Sequence, residues 1–182
     1  QSETFATKAG PEGAFVWAKA GPLYDADGNK IGAIESFRDI TENKKMEAEI
    51  KKSEKKFREI FDSSPIAISL YDSSGSLETA NRAYLYMFGI TDSSTLRNYN
   101  LFKDPNLSRE TKTKLLEGAP FSLRVKYDIS ISAENNLFKT YKTEPMELES
   151  IFTPLADVAA QSVRGWLVQN IDVTKITRLA ED

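Results

Sequence analysis

Near the C-terminus the sequence reads PLADVAAQSVRGWLVQNIDVT (residues 154–174), and PLYDADGNKIGAIESFRDIT (residues 22–41) is a weaker second copy of it. The two Asp-(Ile/Val)-Thr endings, at Asp39 and Asp172, lie 133 positions apart, and the glycines at positions 32 and 165 keep the same interval. Each copy continues into charged, helix-favouring sequence. The repeat predicts a hairpin whose second strand runs directly into a helix. This arrangement connects a sheet rigidly to a helix.

Composition limits the chemistry that the chain can perform. The 182 residues contain no Cys and no His, which excludes disulfides, thiolate catalysis, zinc sites built on Cys or His, His-ligated haem and a Cys-adduct flavin. A net charge of −3 without a sustained basic run outside one helix argues against a nucleic-acid partner. No stretch approaches the roughly 20 apolar residues that span a bilayer, and no secretory pattern begins the chain, so we expect a cytoplasmic fragment with no membrane segment.

Changes of periodicity divide the chain into four parts. Residues 1–41 read as β structure, with a strand candidate at Phe15–Ala20, a turn at Asp25–Asn29 and a returning strand at Ile31–Arg38. A lone hairpin is marginally stable, so this part is interpreted as the end of an upstream domain, packed on its own chain or on a neighbour. The other parts are a linker helix (42–61), a complete domain (62–174) and the start of an outgoing helix (175–182).

The linker carries apolar residues at heptad spacing. The stretch contains no Gly or Pro, and its seam positions are four, three, four and three residues apart: Met46, Ile50, Ser53, Phe57 and Ile60. This pattern predicts a parallel coiled coil and hence a homodimer through the linker helix. The alternative is that the helix packs against its own sheet, or that its C-terminal end folds back onto the domain that follows.

The complete domain begins with two strands and short helices. Strands are predicted at Ile66–Tyr71 and Ser76–Ala80, with Asn81 at the N-cap of a following helix. A second helix is predicted at Arg109–Glu117, with Ser108 at its N-cap and Gly118 closing it.

Three further strands complete the predicted sheet. Residues 121–128 and 146–152 alternate apolar and polar, and Arg164–Ile171 forms the last strand; the stretch 126–137 is the least readable part of the domain. The order of these elements is two strands, short helices and three strands. It predicts an α+β domain with an antiparallel sheet and helices collected on one face.

At this point residues 62–174 resemble a PAS domain, the sensory module of many signalling proteins. The resemblance rests on Tyr71–Gly75 followed by Ala80-Asn81, on Asn100–Pro105, and on Gly165–Thr174, and residues 11–41 resemble the final hairpin, or PAC motif, of another copy. The family implies a five-stranded antiparallel sheet that holds a ligand between its inner face and the short helices. The middle segment is similar to PAS domains of archaeal, methanogen-type sensor histidine kinases, which implies a two-component system with a kinase core further along the parent protein.

The resemblance also implies which residues face the pocket. In flavin-binding relatives a Gln stands two positions before the final Asp, and by that match Asn170 points inward beside Val168 and Trp166. The open alternative is that Asn170 bonds only a neighbouring backbone group or water. The candidate pocket residues are Ser69, Tyr71, Tyr84, Tyr127, Leu148, Ser150, Phe152, Trp166, Val168 and Asn170.

The identity of any ligand stays open at the sequence level. The residues are compatible with a small organic metabolite, an acyl chain, a non-covalent flavin or no ligand, and the aromatic candidates have a plainer interpretation as ordinary core residues. One conflict concerns the first strand: strict alternation sends the bulky Ile66, Ile68 and Leu70 to the core, whereas the family pattern turns Ala67, Ser69 and Tyr71 toward the pocket. Both patterns hold if the flanking helix covers the outer face of the sheet.

These features favour a sensory and dimerisation module that is not itself an enzyme. The expected relay residues are Asp39, Thr41, Asp172 and Thr174, and the two threonines are candidate helix caps, although neither has Glu or Gln three residues later. A structural spacer without ligand is the first alternative. An enzyme is the second, and no Gly-rich phosphate loop, nucleophile elbow or metal-ligand cluster favours it.

Overall fold

A computed structural model describes residues 2–6, 13–157 and 162–181 of the chain. The chain divides into two compact units, Gln1–Arg58 and Glu59–Asp182, with the division inside a helix.

The first unit contains a three-stranded antiparallel sheet. Its strands follow chain order, β1 (Ser2–Ala6), β2 (Ala14–Tyr24) and β3 (Lys30–Asp39). The predicted hairpin is confirmed, and the carboxylate of Asp25 closes its turn by accepting a hydrogen bond from the backbone N–H of Asn29 at 2.7 Å. The sequence analysis predicted no separate strand at β1.

Helix α1 (Thr41–Ser63) extends the predicted linker helix slightly at both ends. All five seam residues are solvent-exposed, and the four large apolar side chains among them expose between 48% and 61% of their surface: Met46, Ile50, Phe57 and Ile60. A regular row of exposed apolar side chains is the surface that a partner helix would need. Within the described residues, no helix is long and apolar enough to cross a membrane.

The second unit is built on a five-stranded antiparallel sheet. Its strands are β4 (Ala67–Asp72), β5 (Leu77–Ala80), β6 (Phe121–Tyr127), β7 (Met146–Asp157) and β8 (Ser162–Asp172). Their spatial order is β5-β4-β8-β7-β6, so the last strand in sequence lies at the centre, between the first and the fourth of the unit. The predicted α+β class with one antiparallel sheet is confirmed.

Short helices between β5 and β7 complete the unit. They are α2 (Arg82–Met87), two 3-10 turns (Ser93–Asn98 and Leu101–Lys103), α3 (Arg109–Glu117) and α4 (Ile129–Glu134), and α5 (Thr174–Glu181) follows β8. Helix α3 has the predicted bounds, with Ser108 as N-cap and Gly118 in the left-handed conformation at its end. The sequence did not predict α4, because Ile129 to Glu134 is rich in β-branched and Ser residues that disfavour helix.

Asn81, the predicted N-cap of α2, joins three segments of the second unit. Its amide oxygen accepts hydrogen bonds from the backbone N–H groups of Ile68 and Tyr84, both at 2.9 Å. Its amide nitrogen donates to the carbonyl oxygens of Phe61 at 3.0 Å and Ile66 at 2.9 Å. The side chain is fully buried, so all four of its hydrogen bonds are made away from water.

The burial of the residues in and beside β4 shows which face of this strand turns toward the core. Ala67, Ser69 and Tyr71 are buried, whereas the bulkier Ile66, Ile68 and Leu70 are only half-buried on or beside the opposite face. The expectation from strict alternation is therefore wrong. Each inner residue of β4 stands beside an inner residue of β8, in the pairs Ala67 with Asn170, Ser69 with Val168, and Tyr71 with Trp166. Small residues at positions 67 and 69 leave room for these neighbours and for the helices above them.

Candidate functional site

The ten candidate pocket residues all lie buried in the second unit. Seven of them line one internal cavity of about 30 Å³: Tyr71, Tyr84, Tyr127, Ser150, Phe152, Val168 and Asn170. Ser69, Leu148 and Trp166 are buried elsewhere in the core, and the hydroxyl of Ser69 has no hydrogen-bond partner. This volume is far below the roughly 300–1,000 Å³ of pockets that hold organic ligands. In this conformation the protein's own aromatic side chains fill the pocket.

Asp104 is the main cavity residue that sequence reasoning missed. It is fully buried, and one carboxylate oxygen accepts hydrogen bonds from the hydroxyls of Tyr99 at 2.6 Å and Tyr127 at 2.9 Å. The other oxygen accepts from the backbone N–H of Asn106 at 2.8 Å and from its side-chain amide at 3.2 Å. Its sequence context, Asp104 before Pro105, reads as a surface turn, so only the tertiary structure reveals its burial.

Other cavity residues also escaped prediction. Tyr99, Phe88, Leu101, Leu107 and Val125 line the cavity alongside the predicted residues. The recurrence of Ala83, Tyr84, Met87 and Phe88 at helical spacing could have identified Phe88 as a neighbour of Tyr84. No local signal identifies Tyr99, because it follows a 3-10 turn without regular periodicity.

Burial keeps the cavity tyrosines protonated. Desolvation raises the pKa of Tyr71 to about 12 and raises the pKa of Tyr84 and Tyr99 well above the ordinary range. Desolvation also raises the pKa of Tyr127, and the neighbouring carboxylate of Asp104 adds to that increase. These hydroxyls therefore act as hydrogen-bond groups and do not take part as bases near neutral pH.

Asn170 is one of the residues that line the cavity. Its amide oxygen accepts a hydrogen bond from the hydroxyl of Ser150 at 2.7 Å, across the pair of strands β7 and β8. The carbonyl group is therefore engaged by a side chain of the protein, a partner that neither of the sequence-based alternatives named.

A second candidate site lies at the first junction of sheet and helix. The carboxylate of Asp39 accepts a hydrogen bond from the backbone N–H of Thr41 at 2.9 Å. The hydroxyl of Thr41 accepts from the backbone N–H of Phe15 on β2 at 2.8 Å, and the Phe15 carbonyl accepts from the backbone N–H of Ile40 at 2.8 Å. The first residue of α1 is thus tied to two adjacent strands.

The second junction repeats these bonds. The carboxylate of Asp172 accepts from the backbone N–H of Thr174 at 3.0 Å, and the Thr174 hydroxyl accepts from the backbone N–H of Glu147 on β7 at 2.9 Å. The Glu147 carbonyl accepts from the backbone N–H of Val173 at 2.8 Å. The prediction that the threonines cap their own helices is wrong. The Asp carboxylates accept a hydrogen bond from the first N–H of each helix, and the Thr hydroxyls accept one from a backbone N–H of the neighbouring strand.

Comparison with known proteins identifies the architecture. Residues 55–120 match the family model described as PAS domain. A search of curated proteins finds no match.

Solved structures resemble the chain at low sequence identity. The PAS domain of an HTR-like protein from Haloarcula marismortui is 15% identical, with a TM-score of 0.53 over 71% of this chain and 98% of that one. An RNA-binding light-oxygen-voltage receptor is 12% identical, with a TM-score of 0.50 over 93% of this chain and 44% of that one. The PAS domain of BvgS from Bordetella pertussis is 21% identical, with a TM-score of 0.47 over 71% of this chain and 93% of that one. The observed five-stranded antiparallel sheet with its short helices, together with the first of these structures, confirms the predicted fold class.

Proposed function

We propose that the chain contains a PAS domain, which the match of residues 55–120 to the PAS family model and the fold support, and that it is a sensory and dimerisation module of a multi-domain signal-transduction histidine kinase. A change in the second unit passes to the helix that follows it, and from there to a kinase core of the same parent chain. The observation that carries this proposal is the junction between sheet and helix, which occurs twice with the same three hydrogen bonds.

The junction couples the sheet to the helix because Thr174 contacts two strands at once. Its backbone N–H is held by Asp172 at the end of β8, and its hydroxyl is held by the Glu147 backbone on β7. A displacement of β7 relative to β8 must move the start of α5 or break a bond worth about 1 kcal/mol. The inner residues of the same two strands, Ser150 and Asn170, line the cavity, so an event there displaces the strands that hold the helix.

The relay is tested in the full-length parent protein by Asp172→Ala. We expect the kinase to lose its response to stimulus while the second unit stays folded, because the carboxylate contacts only the exposed junction. Asp92→Ala is the matched control, since Asp92 is an exposed carboxylate that caps a 3-10 turn by accepting from the N–H of Ser94. A normal response from the Asp172→Ala protein contradicts the relay.

Dimerisation through α1 is the second component of the proposal. The exposed apolar seam of α1 supports it, with Ile50 near the middle at 59% exposure. Ile50→Asp places a charge on the seam and is expected to convert the dimer to a monomer in sedimentation analysis. Ala48→Asp introduces the same residue at an exposed position off the seam and should leave the mass unchanged. A dimer that survives Ile50→Asp contradicts the coiled coil.

In this proposal the fragment acts in the cytoplasm without catalysis, nucleic acid or membrane contact of its own. A ligand-free structural spacer is the second candidate, favoured by the small volume of the cavity. Native mass spectrometry of the purified protein, compared with its denatured mass, separates the two. A retained small molecule supports the sensor, and two bare subunits support the spacer.

A further inference from the structure

The carbonyl groups at the end of α2 receive their hydrogen bonds from two different parts of the chain. The last carbonyl groups of a helix have no partner within the helix itself. The residues directly after α2 bond some of them, as when the backbone N–H of Ile90 donates to the carbonyl of Leu85 at 2.8 Å. The carbonyl groups of residues 87–89 are bonded instead by a distant segment, Thr140–Lys142, which we call the strap.

The strap crosses the end of α2 in a defined conformation. The hydroxyl of Thr140 donates to the carbonyl of Phe88 at 2.6 Å, and the backbone N–H of Tyr141 donates to the carbonyl of Gly89 at 3.1 Å. The same Thr140 hydroxyl accepts a hydrogen bond from the backbone N–H of Lys142 at 3.0 Å. The strap is therefore bonded both to α2 and within itself.

Lys142 supplies the charge of the strap. Its ammonium group donates to the carbonyl of Met87 at 2.9 Å and lies 5.5 Å from the centre of the Tyr86 ring. A cation is favourable beside the carbonyl groups that end a helix and over the face of an aromatic ring. None of the ion pairs of the described residues involves Lys142, so its interactions are directed at α2.

Gly89 leaves the space that the strap occupies. Its φ of +64° is in the left-handed region, which favours glycine. A Cβ atom at this position would lie 2.8 Å from Cγ of Lys142 and 2.9 Å from Oγ1 of Thr140, both shorter than ordinary van der Waals contact. A side chain at position 89 would therefore push the strap away from α2.

A short and stiff connection joins the strap to the second junction. Four residues separate Lys142 from Glu147, whose backbone N–H and carbonyl both form hydrogen bonds of that junction. One of the four is Pro145, which fixes its own φ and restricts the residue before it. Another is Met146, which is buried and belongs to β7. The strap cannot move far without moving the start of β7.

Glu147 lies where β7 extends past the end of its pairing with β8. The first pair of that ladder is Leu148 with Asp172. On this side, the hydrogen bonds that the structure describes for Glu147 are those to Val173 and Thr174. The end of a ladder opens more easily than its middle. The strap therefore holds β7 close to the point at which the junction would open first.

We propose that the strap is a latch that transmits movement of α2 to the second junction. Helix α2 carries Tyr84, and Phe88 follows it directly; both residues line the cavity. A change in the cavity thus reaches α5 through the strap as well as through the inner residues of β7 and β8. The biological role of the latch rests on the proposed sensory function, whereas the coupling itself is a property of the fold.

Amide hydrogen exchange measured by NMR on the purified chain tests the latch. Lys142→Met keeps an unbranched side chain and removes the charged donor. We expect the backbone N–H groups of Glu147 and Val173 to exchange about threefold faster, because the junction opens more often. The N–H of Leu77, on the edge strand β5, should keep its rate. Lys139→Met makes the same substitution at an exposed position before the strap and should leave all three rates unchanged.

Gly89→Ala displaces the strap without altering its residues. It should speed exchange of the Glu147 N–H about tenfold, because the strap then loses its hydrogen bonds to three carbonyl groups. Gly118→Ala is the matched control. Gly118 also follows a helix with a left-handed φ, of +73°, but a Cβ atom there would meet the side chain of Val163 and not the strap. The control carries the same kind of backbone strain and should leave the Glu147 rate unchanged.

The latch and the relay fail separately. Unchanged exchange at Glu147 and Val173 in both variants overturns the latch and leaves the relay intact. Equal acceleration at Leu77 also overturns it, because the whole unit is then destabilised. If Gly89→Ala does not fold, the result for Lys142→Met decides. Selective acceleration at the junction, in a protein whose Asp172→Ala variant signals normally, supports the latch and overturns the relay.

Discussion

The two sheets of this chain end in the same junction but differ in what covers their faces. Asp39 and Asp172 each accept a hydrogen bond from the Thr two residues later, at 2.9 and 3.0 Å. In the first unit, however, Phe37 on β3 exposes 64% of its surface, whereas Trp166 on β8 exposes 1%. The junction forms from a few neighbouring residues and one adjacent strand. A cavity forms only where helices cover the sheet.

The largest expected difference between the units is the cost of removing their two tryptophans. Trp166→Ala deletes a fully buried side chain and should destabilise the second unit by about 3–5 kcal/mol. Trp17→Ala deletes the half-buried tryptophan of the first unit. It should change the free energy of unfolding of the second unit by no more than about 0.5 kcal/mol. Urea denaturation followed by circular dichroism measures both. Equal losses would show that the contrast in packing is wrong.

Asn81→Ala is expected to have the next largest effect. It removes an N-cap and its hydrogen bonds to four backbone groups, two of them buried and two part-buried, at a cost of about 2–4 kcal/mol. Asn135→Ala is the control, because Asn135 is exposed and donates only one hydrogen bond, to the carbonyl of Ile131. Denaturant midpoints of the two variants should differ clearly, and similar midpoints would contradict the structural role of Asn81.

The junctions themselves should respond alike to loss of the Thr hydroxyl. Thr174→Val removes the acceptor of the Glu147 N–H, and Thr41→Val removes the acceptor of the Phe15 N–H. Each loss, worth about 1 kcal/mol, should speed exchange of that amide hydrogen about fivefold. Hydrogen exchange measured by NMR checks this. The control is Thr113→Val, which removes a hydroxyl at an exposed position of α3. A response in only one junction would break their equivalence.

The smallest expected effect is a pKa change at the first junction. Hydrogen bonds from the hydroxyl and the backbone N–H of Thr41 lower the pKa of Asp39 below its ordinary value of 3.8. Because the folded-state pKa is the lower one, this contribution to stability is present above pH 3.8 and is lost as the pH falls through the lowered value. Thr41→Val removes the hydroxyl donor and should raise the pKa of Asp39 toward 3.8.

Carboxyl NMR titration between about pH 2 and pH 6 measures this change. Asp25 is the internal control, since its pKa is lowered by the backbone N–H of Asn29, a group that Thr41→Val does not touch. If the titration of Asp39 is unchanged in the variant, the Thr41 hydroxyl is not its partner.

Local sequence determined the elements and their ends. Asn81, Ser108 and Gly118 mark helix ends because their side chains or backbone preferences act within a few residues, and the structure places them as predicted. The alternation in β6 and β7 predicted which residues face inward for the same reason, since neighbouring side chains of a strand point to opposite faces.

Tertiary structure alone decided the content of the pocket. Asp104 and Tyr99 reach the cavity from irregular segments, and their partner Tyr127 lies 23 residues beyond Asp104 along the chain. No periodic pattern encodes a contact between a turn, a strand end and a 3-10 segment. Which face of β4 turns inward was also decided by tertiary structure, where Ala67 and Ser69 are buried beside Asn170 and Val168 of β8. Short-range hydrogen bonds and alternation therefore specified the frame and both junctions, and long-range packing brought Asp104 together with Tyr99 and Tyr127 at the cavity.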